Sequence, residues 1–191
     1  FGVPRFFFNF STAMRAPKMD TFPRTAVYPG SFDPPTKGHL DVLKRATGLF
    51  DRVVVGIGRN PEKDSLFSAE ERVELMAALR PGGVDVLVEA YEGLTVDFAK
   101  KHRAVALIRG FRTMSDVESE CRLAIANRTV ADLETVLMVA APKHAFTSSR
   151  LIREVVGLGG DLARLRAFVP EEVLDCLSTK QTELQQRMEG S

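Results

Sequence analysis

Short apolar runs alternate along the chain with longer stretches in which apolar residues recur every three or four positions. Residues 25–28 are β-favouring, 52–57 form a continuous apolar run, and 84–88, 104–108 and 134–139 repeat the pattern, so each reads as a strand. Between them the period lengthens. After Gly38, the residues Leu40, Leu43, Thr47 and Phe50 recur at helical spacing. Ser68-Ala69-Glu70-Glu71 is a capping box that opens a second helix with Val73, Met76 and Leu79 inward, and Pro81-Gly82-Gly83 stops it. Residues 95–102 read as a short helix with Val96 and Ala99 on one face. Ser115-Asp116-Val117-Glu118 is a second capping box, starting a helix to about Arg128. Ser148 caps a helix with Leu151, Ile152 and Val155 inward, Gly157-Leu158-Gly159-Gly160 ends it, and Pro170-Glu171-Glu172 opens the last one. Strands alternating with helices five times predict an α/β fold with a single doubly wound, five-stranded parallel sheet and right-handed crossovers.

Ligands of such sheets bind beyond the carboxyl ends of the strands. Ser31 to His39 follow the first strand, Lys63 the second, Arg109 and Arg112 the fourth, and Thr147 to Ser149 the fifth. In the first of these, Pro29-Gly30 breaks the strand and Pro34-Pro35 keeps the next residues out of helix, which leaves Thr36-Lys37-Gly38-His39 at a helix entrance. A helix N-terminus carries unpaired N–H groups and about half a positive charge, which makes it an anion site. Arg109 and Arg112 flank Gly110 and can fork onto phosphate oxygens, although two arginines alone also read as solvated charges. Taken singly, Lys63 is an ordinary exposed lysine, Ser148-Ser149 a simple N-cap, and His39 a capping or packing residue.

Composition narrows the classes. The 191 residues suit one domain with a full core, and 45% apolar with 27% charged residues is a globular composition. A net charge of +1 gives no field for sequence-independent nucleic-acid binding. Cys121 and Cys176 lie far apart in stretches read as helical, so buried thiols are expected rather than a disulfide or zinc site. His39, His102 and His144 form no metal-ligand cluster, and no apolar run reaches membrane-spanning length. Residues 1–24 are rich in Phe and basic, with no acid before Asp20. They read as a mobile extension or a mis-assigned start, with Met14 or Met19 as the beginning; a transit peptide fits the charge but not the Phe content. The domain is expected over 25–180, followed by a polar tail, 181–191, that frays.

The string PGSFDPPTKGH carries more than its local structure. Thr36-Lys37-Gly38-His39 resembles the [T/H]xGH motif of the nucleotidylyltransferase superfamily, and the longer string resembles the bacterial phosphopantetheine adenylyltransferase family. Asn60-Pro61-Glu62-Lys63 resembles that family's NPxK loop, residues 108–120 (IRGFRTMSDVESE) its RGLR block, and residues 147–153 (TSSRLIR) its second signature. The likeness runs from Thr25 to about Pro170. It implies a Rossmann-like nucleotidylyltransferase fold and transfer of the adenylyl group of ATP to 4′-phosphopantetheine, giving dephospho-CoA and pyrophosphate.

Carried over residue by residue, the resemblance makes His39, Lys63 and Arg112 catalytic. Ser31, Lys63, Thr95 and Arg109 would bind phosphopantetheine. Ser31, Phe32, His39, Gly110, Phe111, Arg112 and Glu120 would bind ATP, together with Thr147, Ser148, Ser149 and Arg150. The chain departs from the pattern at Phe111 (usually Leu), at Val117 and Ser119 (usually aromatic) and at Arg150 (usually Ser or Thr). The resemblance further implies Mg²⁺ held mainly through substrate phosphates, a cytoplasmic homohexamer, CoA as a possible feedback inhibitor, and neither nucleic-acid nor membrane partners. One alternative is a sister nucleotidylyltransferase acting on nicotinamide mononucleotide or an alcohol phosphate; the RGFR and NPEK blocks favour phosphopantetheine. Another is a catalytically dead nucleotide-binding or interaction protein, against which His39, Lys63, Arg109 and Arg112 all speak.

Overall fold

The computed structural model describes residues 22–59 and 64–189. Five parallel strands, β1 (Thr25–Gly30), β2 (Arg52–Gly58), β3 (Asp85–Tyr91), β4 (Ala106–Phe111) and β5 (Glu134–Val139), form one sheet in the order β3-β2-β1-β4-β5. The alternation of side chains along each strand decides which helix covers which face. Val53, Val55 and Ile57 pack with Leu43 and Ala46 of α1 (Lys37–Ala46) and Met76 of α2 (Ala69–Leu79). Val27, Val54 and Leu107 point the other way, onto Val96, Phe98 and Ala99 of α3 (Thr95–Lys101). The sheet is thus doubly wound, as its sequence period predicts. The remaining helices are α4 (Met114–Ala131), α5 (Ser149–Gly157) and α6 (Glu171–Glu189). Among the described residues, no helix is long and apolar enough to cross a membrane.

A second apolar cluster lies beside the sheet. Phe67 and Leu75 join Ile152 and Val156 of α5 and Val173 and Leu177 of α6. Val73 faces the sheet while Leu75 and Leu79 face α6, so α2 buries two sides. Lys180 of α6 pairs with Glu71 of α2 at 2.7 Å, Gln181 donates to the Gly160 carbonyl at 2.9 Å, and Leu184 packs on the cluster. The segment expected to fray from residue 181 is therefore helical to Glu189, because it has a surface to dock on.

Several expected boundaries shift for reasons of pairing. β1 runs through Pro29-Gly30, because those residues still register with Gly56 and Ile57 of β2. β4 starts later and runs through Phe111, because Arg109, Gly110 and Phe111 pair with Leu137, Met138 and Val139; the Arg-Gly-Phe stretch is strand, not loop. The capping box of α4 is Thr113 with Asp116, rather than the one beginning at Ser115. Leu151 is exposed although the helical period points it inward, and Cys121 is exposed because α4 buries only Asn127. The expectation for residues 1–24 falls outside the described residues up to residue 21.

Asp33 ties the first loop to both helical layers. Its buried carboxylate accepts the N–H groups of Leu66 (3.0 Å) and Phe67 (2.9 Å) at the entrance to α2, and its carbonyl accepts from Arg153 of α5 (2.7 Å). Asp33→Ala leaves two backbone donors without an acceptor, and the expected loss of stability is about 2–4 kcal/mol. It should appear as a lower urea midpoint with an unchanged slope; an unchanged midpoint would mean the two N–H groups find water instead.

Candidate active site

The ladder between β1 and β4 is confined to Ala26–Ala106 and Val27–Leu107. Beyond those residues the strands part at their carboxyl ends, and a cavity of about 510 Å³ opens there. Ser31, Phe32 and His39 line it from the first loop, and Arg109, Gly110 and Arg112 from the end of β4. Thr147, Ser148, Ser149 and Arg150 close it from the start of α5. Groups from three separate stretches of sequence are thus brought to one edge.

The entrance of α1 is a reciprocal capping box. Thr36 Oγ1 accepts the N–H of His39 at 3.2 Å, and His39 Nδ1 accepts the N–H of Thr36 at 3.2 Å. A backbone N–H only donates, so Nδ1 is the unprotonated nitrogen and the imidazole proton sits on Nε2. His39 therefore caps the helix through Nδ1 and leaves Nε2–H as a donor, so the capping reading leaves room for a second task. Of the other first-turn donors, one is already used. The Lys37 N–H goes to the Phe168 carbonyl at 2.8 Å, which leaves the Gly38 N–H without a protein acceptor among the described residues. The helix terminus thus contributes one backbone donor, at a residue that itself lines the cavity.

Phe32 fixes the other side of the imidazole. Its ring meets His39 edge-on at 5.0 Å and Tyr28 at 5.2 Å. Its φ of 47° is a left-handed conformation that a bulky residue rarely adopts, held here by burial of the ring. The ring lies across Gly30, where an added Cβ would come to 2.8 Å, so Gly30 is required for this packing. Arg72, buried beneath the loop, donates to the Ser31 carbonyl at 2.8 Å.

On the α5 side the hydroxyls are not equivalent. Ser148 occupies the N-cap position but makes no capping bond, so its hydroxyl is free to donate. Ser149 Oγ already donates to the Pro34 carbonyl at 2.9 Å, so toward an anion Ser149 has only its backbone to offer. The Arg112 guanidinium donates to the Thr147 carbonyl and lies 3.7 Å from Asp116. Arg150 has no hydrogen-bond or ion-pair partner among the described residues and stands at the cavity wall as an unneutralised charge.

Three expected residues stand elsewhere, and a fourth is not described. Lys63 lies outside the described residues. Phe111 ends β4, where its carbonyl accepts from Ala140. Thr95 lines a second cavity of about 320 Å³ with Leu94, Leu107, Leu123 and Asn127; its hydroxyl contacts that of Tyr91 at 2.8 Å. Glu120 does not reach the first cavity but grips Arg109, whose Nε and Nη2 lie 2.7 and 2.8 Å from the carboxylate oxygens. Pro29 and Arg109 line both cavities and form the divide between them. Two further lining residues went unread in the sequence. His144 is buried on the turn Pro142–His144, and nothing in its local sequence marks it. Arg153 was visible as the last residue of the second signature and is held by Asp33.

The lining is cationic, and it contains no carboxylate among the described residues. Burial, reinforced by Arg112 and Arg109, lowers the His39 pKa to about 4. The imidazole is therefore neutral at physiological pH and offers the cavity a hydrogen-bond donor rather than a cation. Its folded value lies below the unfolded one, so this residue weakens the fold only as pH falls from about 6.5 toward 4. Nitrogen NMR of the folded protein should show His39 as the Nε2–H tautomer with no titration between pH 6 and 8. An inflection near 6.5 would contradict the burial argument.

Comparison with known proteins bears on the same residues. The cytidylyltransferase-like family model matches residues 27–155. A phosphopantetheine adenylyltransferase of Moorella thermoacetica is 48% identical over 151 residues, covering 78% of this chain and 92% of the relative. One of Synechococcus elongatus is 44% identical over 153 residues, covering 80% and 90%. Among solved structures, the nicotinic acid mononucleotide adenylyltransferase of Plasmodium falciparum, complexed with NaAD, superposes with a TM-score of 0.57. It is 18% identical and covers 79% of this chain and 92% of its own, a likeness of fold alone. A capping box that leaves one imidazole donor at a cationic cleft thus sits in a chain that belongs to the cytidylyltransferase-like family and, within it, to the phosphopantetheine adenylyltransferases.

Proposed function

We propose that this protein transfers the adenylyl group of ATP to 4′-phosphopantetheine. A phosphate oxygen of the acceptor bonds to the α-phosphorus, the bond from that phosphorus to the bridging oxygen breaks, and pyrophosphate leaves with dephospho-CoA as product. The observation that carries the reading is the pair of cavities divided by Arg109. A cleft lined with arginines and helix N-termini suits a triphosphate. A cavity walled by Leu94, Val96, Leu107 and Leu123, with the Asn127 amide at its side, suits an uncharged chain bearing amides. That lining also favours phosphopantetheine over nicotinamide mononucleotide, whose ring is cationic.

The nucleophile is already an anion, so no general base and no covalent intermediate are required. Repulsion between two polyanions and the cost of aligning them form the barrier, and fixed positive groups lower both. In this reading His39 Nε2–H donates to the α-phosphate as charge shifts, while Arg112, Arg150, Ser148 and the Gly38 N–H hold the triphosphate. Arg109 receives the acceptor phosphate, with Lys63 as a second cation. Mg²⁺ finds no carboxylate in the described lining and would come with the nucleotide's phosphates, so no step is assigned to it.

The reading extends to assembly. The 18 residues of α4 bury only Asn127 in the single chain, while Met114, Ile125 and Val130 stay exposed, which suits a face closed by further copies. A cytoplasmic hexamer, with CoA as an inhibitor competing for the two cavities, is the form proposed.

Turnover of phosphopantetheine should exceed that of nicotinamide mononucleotide, glycerol phosphate and choline phosphate; preference for any of these would replace the proposed acceptor. His39→Ala should lower kcat about 10²–10³-fold, as removal of one transition-state donor does, with much smaller changes in KM. A near-normal kcat in that folded variant would pass the role to other groups. Light scattering should give a mass of several subunits, reduced by Ile125→Glu, and a monomer at micromolar concentration would count against the assembly.

A further inference from the structure

Arg109 has five N–H donors, and the structure accounts for three. Nε and Nη2 each donate to one oxygen of Glu120, at 2.7 and 2.8 Å, and Nη1 donates to the Pro29 carbonyl at 3.1 Å. One N–H on each terminal nitrogen is left without an acceptor among the described residues. The side chains are 27% and 13% exposed, so the pair is screened by protein rather than by water. Arg109 sits on β4 beside the gap in the β1–β4 ladder, and Glu120 comes from the second turn of α4.

We propose that Glu120 is a positioning residue: through this two-point grip it fixes the Arg109 guanidinium on the divide between the two cavities, with its two spare donors aimed at the acceptor's phosphate. The inference rests on the reaction proposed above and gives Glu120 a task that a contact with the nucleotide does not include. A long arginine side chain without the grip loses rotamer entropy each time it meets a phosphate; with the grip, that cost is met in the folded protein before substrate arrives. The carboxylate also cancels the arginine's net charge, so the site discriminates by direction more than by attraction. It selects an anion that reaches two particular N–H groups over one that merely seeks a cation. The Pro29 carbonyl supplies the third fixed point and ties the guanidinium to the strand that leads into the His39 loop.

The test separates this task from a nucleotide contact and from general damage. In Glu120→Ala the KM for phosphopantetheine should rise about tenfold, while the KM for ATP moves less than about twofold. Glu120→Gln keeps one acceptor oxygen and should fall between. Against an Arg109→Ala background, Glu120→Ala should change the phosphopantetheine KM little further, because it acts only through the arginine. A rise confined to the ATP KM, a fall in the phosphopantetheine KM, or additive effects in the double variant would each overturn the proposal. A second measurement needs no turnover. In protein labelled with ¹⁵N-arginine, the Arg109 Nε–H signal should be protected and should shift on addition of inorganic phosphate. In Glu120→Ala it should exchange rapidly and respond weakly. A wild-type enzyme inactive with phosphopantetheine would sink the reaction assigned above, whereas an Arg109 signal indifferent to Glu120→Ala would sink this inference.

Discussion

The site exists because β1 and β4 cannot stay paired along their full lengths. The chain winds outward from β1 through β2 to β3, then crosses back to place β4 on the other side of β1. The connections leaving β1 and β4 therefore turn to opposite faces of the sheet, and the strands separate after Val27 and Leu107. A crevice at the carboxyl ends follows from that reversal. Everything functional is fitted to it: the α1 entrance on one side, the end of β4 on the other, and the start of α5 across the top.

Within the crevice, several groups hold the structure and line the cavity at once. His39 caps α1 with one nitrogen and keeps a proton on the other. Arg112 holds the Thr147 carbonyl and still lines the cavity. Arg109 is gripped by Glu120 and Pro29 yet retains two donors. In each case the structural bond restricts the rotamers of a group that, in the reaction proposed above, meets a phosphate in one orientation. Such preorganisation is what a reaction without a covalent intermediate most needs from its protein.

The second apolar cluster serves the same end indirectly. The start of α5 must hold its place against the α1 loop, and α5 is short. Its inner face is buried against α6 and α2 rather than against the sheet. Ser149 and Arg153 then join it to the carbonyls of Pro34 and Asp33. The cavity-facing end of α5 is thus anchored by packing behind and by hydrogen bonds in front.

The sequence by itself determined the class of fold and the address of the site. Strand and helix periods are local, and so is the capping box Ser68–Glu71, whose partners are three residues apart; these could be read directly. The motif around His39 located the cavity-lining loop for the same reason. What it left open depends on neighbours distant in the chain. The Arg109–Phe111 stretch is strand because β5 pairs with it, and residues beyond 180 are helical because α2 and the α5 region give them a surface. Cys121 and Leu151 are exposed because the single chain offers their helix faces nothing to pack on. His144 enters the cavity only because its turn folds over Gly38, where an added Cβ would lie 3.5 Å from His144 Cβ. Which hydroxyl is free, which N–H of a guanidinium is spent and which imidazole nitrogen carries the proton are settled by hydrogen-bond partners. Those partners, apart from the local Thr36 and from Glu120 in the helix that follows Arg109, come together only when strands and helices far apart in sequence are packed side by side.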